Sequence, residues 1–362
     1  MIINARSPFI ITVNETGQVG SQIKLYISDG FTPIPVTPTY VLSKKVPSAT
    51  QLRTDYNISQ FVREFIDNIS SFDITLYLFA NVRVERYKET TSGEYTLLTT
   101  KDYLAVNGYS LYSQGMNASE TSDKFYVLSN PDIEIQYNES SASSNWPYIN
   151  VALDFTTNIS SKVVATYKDL NGRNEVSVNY NGVDYDRLYL LKIPVRTSSS
   201  KYDEGNTVTI KYQPTGTTIV LQETFTIKPI CEPKYTPVIC QFINRYGGWQ
   251  FLTFFKAKSS AIASSSTSFS LLPDSVNYNP KKAQSGSFNI NGKQSIKLNT
   301  GWVNENYSEL IQDLLLSETI LLDDVPVDIR TQSTDIKTSL KDRNINYEID
   351  FEYAFNIINN VI

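Results

Sequence analysis

Few residues in this chain have the type and spacing to do chemistry. Cys231 and Cys240 stand nine positions apart with Pro233 and Pro237 between them. A disulfide could close that interval if the proline-containing segment doubled back. Glu348, Asp350 and Glu352 alternate along one stretch, which would place three carboxylates on one strand face. Such a row could hold a cation, but carboxylates two apart more often form a solvated face or pair with Lys and Arg, which is the expectation here. Histidine is absent. It is the usual general base near neutral pH and the commonest metal ligand, so Ser-His-Asp and Cys-His pairs and imidazole zinc sites are excluded. Two cysteines cannot build a four-thiolate site. Carboxylates, Lys and Tyr remain, an inventory that can run glycoside hydrolysis, yet no carboxylate pair stands out for it. The expectation is a protein that is not an enzyme, with no catalytic, cofactor-binding or metal-ligating residue and no cofactor.

Composition narrows the partners. The net charge of −5 and the lack of any Lys or Arg run argue against nucleic acid, which needs a concentrated basic surface. No apolar window approaches the length of a bilayer-crossing helix, and the first thirty residues lack a basic segment followed by an apolar core. A chain made in the cytoplasm is expected, with both thiols reduced and buried. Sequons at Asn14, Asn57, Asn68, Asn117, Asn138, Asn158 and Asn306 are no more than the abundant Asn, Ser and Thr would give by chance. Trp146, in SSNWPY, could stack on a sugar but reads more simply as a loop anchor. Arg245, Lys256 and Lys258 are too few for a single-strand groove.

The elements that must position these residues are mostly strands. Ile23, Leu25 and Ile27 alternate with polar neighbours, and ITLYLFANVRVERYKE, from Ile74, returns through EYTLLTTKDYLAV after a Ser92-Gly93 turn. Two strands flank Asn171-Gly172, and Asn181-Gly182 marks another turn. Tyr347, Ile349, Phe351, Tyr353 and Phe355 share one face of a terminal strand. Two helices are expected. Ile58, Phe61, Val62, Phe65 and Ile66 form one apolar stripe, with Asn57 and Gln60 as a capping box. Tyr307, Leu310, Ile311, Leu314 and Leu315 repeat the spacing, with Asn306 and Glu309 in the capping places. A weak internal duplication and coincidence both explain the match.

The length of 362 residues exceeds one compact core. The fold class expected is mainly β: a multidomain chain of β-sandwich, Ig-like domains with two short amphipathic helices packed on sheets. The partition is 1–114, a β-domain with one helix; 115–228, an Ig-like sandwich; and 229–362, a β-domain with an aromatic hairpin and the second helix. Within the last, the Ser-rich stretch from Ser259 to Ser287 reads as a long loop, a candidate arm that orders on a neighbour. The segment CEPKYTPVICQFINRYGGWQFLTFFKAK, from Cys231 to Lys258, holds both cysteines, Trp249 and six further aromatics. A two-residue turn on Gly247-Gly248 would place Tyr246 opposite Trp249, Asn244 opposite Phe251 and Cys240 opposite Phe255. This is a hairpin covered on both sides, a packing device rather than a reaction centre.

That segment resembles one that recurs in virion structural proteins of tailed bacteriophages infecting Bacteroidota, crAss-like phages included. LNTGWVNENYSELIQDLLLSETILLDD, PVDI, NYEIDFEYAF and GYSLYSQGMN are similar to further segments of the same proteins. The resemblance implies a virion component of the tail, hub or collar, made in the host cytoplasm and assembled into a ring or stack with itself and other virion proteins. A receptor- or carbohydrate-binding tail adhesin and a carboxylate-based glycosidase are the rival readings.

Overall fold

A computed structural model describes residues 2–30, 32–66, 79–90, 93–118, 125–138, 146–154, 161–181, 188–197, 202, 204–214, 218–230, 234–272, 279, 281–331 and 345–359. The protein is mainly β, and its described chain forms two compact units. Unit 1 comprises Met1–Cys231, Phe242–Leu252 and Glu309–Thr319; unit 2 comprises Glu232–Gln241, Thr253–Ser308 and Ile320–Ile362.

Unit 1 opens with β1 (Ile2–Asn4), β2 (Ile10–Val13), β3 (Gly20–Asp29), β4 (Tyr40–Lys45), β5 (Thr54–Asn57), α1 (Ser59–Arg63), β6 (Phe79–Glu89) and β7 (Tyr95–Val106). They form a sheet in the order β1-β7-β6-β3-β4 and a β2-β5 pair. Period-two alternation buries Ile23, Leu25 and Ile27 in one core with Val82, Val84, the helix residue Val62 and, flanking the helix, Ile58 and Ile66; the helix itself covers only Ser59–Arg63, shorter than the expected stripe. The β6-β7 hairpin has the expected antiparallel course, closing with Gly93 at φ +76°. Its residues 74–78 and Ser92 lie outside the described residues. Asn57 serves the start of α1, but through Ser59 rather than Gln60: its Oδ1 accepts from the Ser59 backbone N–H at 3.2 Å.

The second part of unit 1 is a two-sheet sandwich. It contains β8 (Phe125–Val127), β9 (Ile135–Asn138), β10 (Tyr148–Asp154), β11 (Lys162–Asp169), β12 (Val176–Asn181), β13 (Leu188–Pro194), β14 (Asn206–Gln213) and β15 (Leu221–Ile230). One sheet runs β13-β10-β8 and the other β12-β11-β14-β15-β9. Their inner faces share one core that includes Tyr137, Val151, Tyr167, Val208 and Phe225. The Asn171-Gly172 turn is present with Gly172 at φ +78°, held by Asp169, whose Oδ1 accepts from the backbone N–H groups of Asn171 and Arg173. Gly182 lies outside the described residues.

The remaining elements are β16 (Val238–Ile243), β17 (Trp249–Phe254), β18 (Ser259–Ser270), β19 (Ser285–Asn299), α2 (Tyr307–Leu315), β20 (Ile320–Leu322), β21 (Val325–Ile329) and β22 (Glu348–Tyr353). In unit 2, β20, β21, β22, β19 and β18 are consecutive neighbours in one sheet. Tyr347, Ile349 and Phe351 are buried on the expected face, Tyr353 is half-buried and Phe355 is exposed. The α2 stripe also holds: Tyr307, Leu310, Ile311 and Leu314 are buried. Among the described residues no helix is long and apolar enough to cross a membrane.

Two expectations are corrected. The Ser-rich stretch is not an irregular loop. β18 and β19 pair antiparallel from Ser259↔Lys297 to Ser270↔Ser285, and every residue of β18 is exposed. Ser and Thr tolerate extended backbone well, so the missing apolar alternation concealed a ribbon that needs no core face. The boundary at 229 also fails for two segments. The hairpin tip, Phe242–Leu252, and most of α2 with the turn after it, Glu309–Thr319, belong to unit 1. Sequence continuity made them one domain, whereas packing assigns them to another.

Candidate functional site

A polar cluster in unit 1 surrounds the hairpin tip. Here the loop differs from a two-residue turn. The Gly247 N–H donates to the Asn244 carbonyl and the Asn244 N–H to the Gly248 carbonyl, both at 3.0 Å. Arg245, Tyr246 and Gly247 therefore make a three-residue loop, with Gly247 at φ +80° in the left-handed position. Asn244 stands opposite Gly248, which displaces the expected Tyr246–Trp249 register by an odd number of residues and interchanges the paired faces. Asn244 dictates this choice. Its Oδ1 accepts from the N–H groups of Tyr246 at 3.0 Å and Gly248 at 3.1 Å, and its Nδ2 donates to the Leu128 carbonyl at 2.8 Å. An Asn followed three residues later by Gly is the signature of a type I turn, and that signal was available in the sequence.

The glycines fit where nothing larger would. A Cβ on Gly247 would stand 2.7 Å from Val106 and 2.9 Å from the Gly108 nitrogen; one on Gly248 would stand 2.5 Å from the Leu128 carbonyl oxygen. The loop is thus seated between the first sheet of unit 1 and its sandwich. Tyr246 packs on an apolar cluster of Ile2, Phe79, Leu104, Val106, Leu128, Ala152 and Leu190, which joins those two parts. All six residues of β17 are buried. Trp249 lies at its start, its carbonyl accepting from Asn150 at 3.3 Å.

Charged side chains from four chain segments, with Tyr109 from a fifth, meet beside this seat. The Tyr109 hydroxyl donates to Asp313 Oδ1 at 3.0 Å, and the Tyr109 N–H donates to the Arg245 carbonyl at 2.8 Å. The Arg245 guanidinium donates to the Tyr246 hydroxyl at 2.6 Å and lies 3.5 Å from Glu309. Arg6 covers the Tyr109 ring and pairs with Glu318, which also takes Arg63. Burial, and then the neighbouring Asp313 carboxylate, push the Tyr109 phenol well above its ordinary value. Burial likewise raises the Asp313 carboxyl from 3.8, against the opposing pull of the Tyr109 hydrogen bond and Arg245. A cleft of about 440 Å³ opens next to them, lined among others by Asn4, Tyr109, Ser129, Glu223, Arg245 and Tyr246.

The chemistry of this cluster is that of a clamp. The phenol is held protonated, the guanidinium is shared between a carboxylate and a hydroxyl, and Asp313 receives donors from two other segments. A carboxyl raised in the folded state makes its contribution to stability below the unfolded value and loses it as pH rises through the folded value. Stability should therefore fall as pH climbs from about 3.8 upward through that raised value. Asp313→Asn, which retains an acceptor for Tyr109, should flatten this limb. Urea midpoints of both chains across the acid range measure it.

Other sequence candidates lie elsewhere. Cys240 is a free, fully buried thiol, and burial followed by the charge of Asp323 drives its ionisation far above the ordinary range. Cys231 lies outside the described residues. In a Cys231→Ser chain, a disulfide-exchange reagent should react with Cys240 at least roughly 100-fold more slowly in buffer than in denaturant. Equal rates would contradict the burial. Glu352 is bound by Lys293 at 3.2 Å and Arg330 at 2.9 Å, and Glu348 accepts from Asn299 at 3.3 Å. The two glutamates of the acidic row thus pair with Lys, Arg and Asn, and no metal-holding cluster occurs among the described residues. Trp146 packs on the sandwich core, edge-on to Tyr137, with the Arg196 guanidinium 5.3 Å from its ring centre. Lys256 lies over Phe255, and Arg245 is engaged by Glu309. The alternation patterns gave no sign of Tyr109 and Asp313, because each meets its partner across about 200 residues.

No family model and no curated protein matches the chain. Among solved structures it is similar to the calcium-binding domain CBD12 of CALX1.1, at 8% identity and a TM-score of 0.18, over 64% of this chain and 96% of that one. A likeness at that score carries no argument about fold or function.

Proposed function

We propose that this chain is a structural, non-enzymatic subunit of a bacteriophage virion, a tail, tail-hub or collar component that assembles into a ring through β-rich interfaces. The observation that carries the reading is the β18-β19 ribbon, whose twelve-residue outer strand is exposed throughout. A long, fully exposed edge strand is a ready template for pairing with another chain, which is what an assembling subunit would offer. The clamp around the hairpin tip supports the same reading, since it fixes a rigid body of the kind a ring repeats. The segments that resemble virion proteins of phages infecting Bacteroidota supply the particle. The expected result is a discrete oligomer of the purified chain by mass photometry, and its peptides in purified virions by mass spectrometry. A chain that stays monomeric at high concentration and is missing from virions would refute the proposal.

A further inference from the structure

The cleft beside the clamp is walled by two strand edges of unit 1. β8 ends its sheet and, among the described residues, pairs with β10 alone. The Leu128 N–H donates to the Asn150 carbonyl at 2.8 Å. Alternate residues of an antiparallel ladder exchange bonds, so Tyr126 is bonded to Ala152, and the main-chain groups of Phe125 and Val127 point away from β10. β1 likewise ends the first sheet, parallel to β7. The Ala5 N–H donates to the Val106 carbonyl at 3.0 Å, which assigns residues 3 and 5 to β7 and turns the main chain of Ile2 outward. Ile2, Phe125 and Val127 all line the cleft, and so does Tyr126. Neighbours on a strand point to opposite faces, so the cleft meets β8 along its edge.

The walls select what can enter. Unpaired main-chain groups on two edges call for a ligand with its own repeating amides, and an extended peptide supplies them on both of its sides. β8 alone, three residues long, would be a weak template; a second edge in the same cleft adds donors and acceptors. Leu128, Pro131 and Leu221 add apolar wall for alternate side chains. Charge is set by Glu223. It lines the cleft half-buried, and its carboxylate has no hydrogen bond or ion pair among the described residues. The one cation among the described lining residues, Arg245, is already engaged by the Tyr246 hydroxyl and Glu309. A carboxylate drawn out of water is costly unless a cation meets it, so a Lys or Arg brought by the ligand would complete the site.

We infer that this cleft is a peptide site, which takes an extended segment of a partner protein, apolar residues around one Lys or Arg, as an added strand on the β8 edge with its cation on Glu223. The inference goes beyond the ring reading and does not depend on it. The probe is a capped, fluorescein-labelled Val-Thr-Val-Lys-Val-Thr peptide, titrated with the full chain and read by fluorescence polarisation. Two altered peptides accompany it: one N-methylated at alternate residues, which cannot donate along one edge, and one with norleucine in place of lysine. The expected result is saturable binding, weakened roughly 10-fold or more by N-methylation and by loss of the lysine charge. Glu223→Gln should weaken the lysine peptide by a similar factor and leave the norleucine peptide unchanged, since the two changes remove one contact. Thermal melting of Glu223→Gln checks its fold. No saturable binding of the lysine peptide would overturn the inference, and so would binding indifferent to both peptide changes. Self-association of the chain that Glu223→Gln abolishes, without peptide binding, would put a second copy in the cleft and overturn it as well. None of these outcomes alters the virion test of the subunit reading.

Discussion

Gly247→Val is expected to lower the stability of unit 1 by about 4 kcal/mol, seen as a shift in its urea midpoint. Two costs combine. Gly247 sits at φ +80°, where a residue with a Cβ costs roughly 1–2 kcal/mol and a β-branched one is a genuine outlier. The new side chain would also enter space already held by Val106 and the Gly108 nitrogen, an overpacking cost of roughly 1–3 kcal/mol. Gly108 cannot yield cheaply, because Tyr109 next to it donates its N–H to Arg245 in the same loop. Gly172 provides the control. Its φ of +78° is nearly the same, but a Cβ there meets nothing within 4 Å. Gly172→Val should lose only the conformational part, about 1–2 kcal/mol. Equal losses at the two positions would show that the hairpin tip is not wedged.

Asn244→Leu should be comparably severe, about 4 kcal/mol by the same assay. The side chain is 1% exposed, so water cannot replace what it provides. Leucine would strand the N–H groups of Tyr246 and Gly248 and the carbonyl of Leu128, each costing roughly 1–3 kcal/mol when buried and unpaired. Asn244→Asp distinguishes the two functions of the amide. It keeps both accepted bonds, but at neutral pH it turns a carboxylate toward the Leu128 carbonyl. Its folded pKa would be raised, so stability should recover in acid, where the protonated carboxyl can donate to that carbonyl. A pH-independent loss would mean that the contact with Leu128 contributes little.

These two residues show where the sequence was legible. Gly-Gly between apolar runs announced a hairpin, and alternation announced that it was covered. The loop type followed instead from Asn244, whose amide is satisfied by Leu128, a residue 116 positions away. Local pattern reads strands and helix stripes, which is why β3, β6, β7, α2 and the sandwich could be drawn from periodicity alone. It does not read which distant segment a strand tip enters, so continuity places the hairpin tip and most of α2 with unit 2, whereas packing places them in unit 1. The ribbon was hidden for a different reason. Its outer strand buries nothing, and a pattern that depends on a buried face passes over Ser-rich chain. The Tyr109–Asp313 contact had no local signature at all.

The discontinuous make-up of unit 1 has a consequence during synthesis. The segment up to Cys231 supplies both sheets of the sandwich and the first β-core, yet the pieces that lock them together, Phe242–Leu252 and Glu309–Thr319, are encoded later. Ribosomes add roughly 5–20 residues per second, so a nascent chain would wait roughly four to eighteen seconds between releasing Cys231 and releasing Thr319. Unit 1 can be completed only after Thr319 has been released, 88 residues after Cys231. The hairpin tip follows within the first 21 of those 88 residues, whereas Asp313 and Glu309, which engage Tyr109 and Arg245, come only at the end of the interval. Fragments interrupted before Thr319 should be the species that chaperones and proteases encounter.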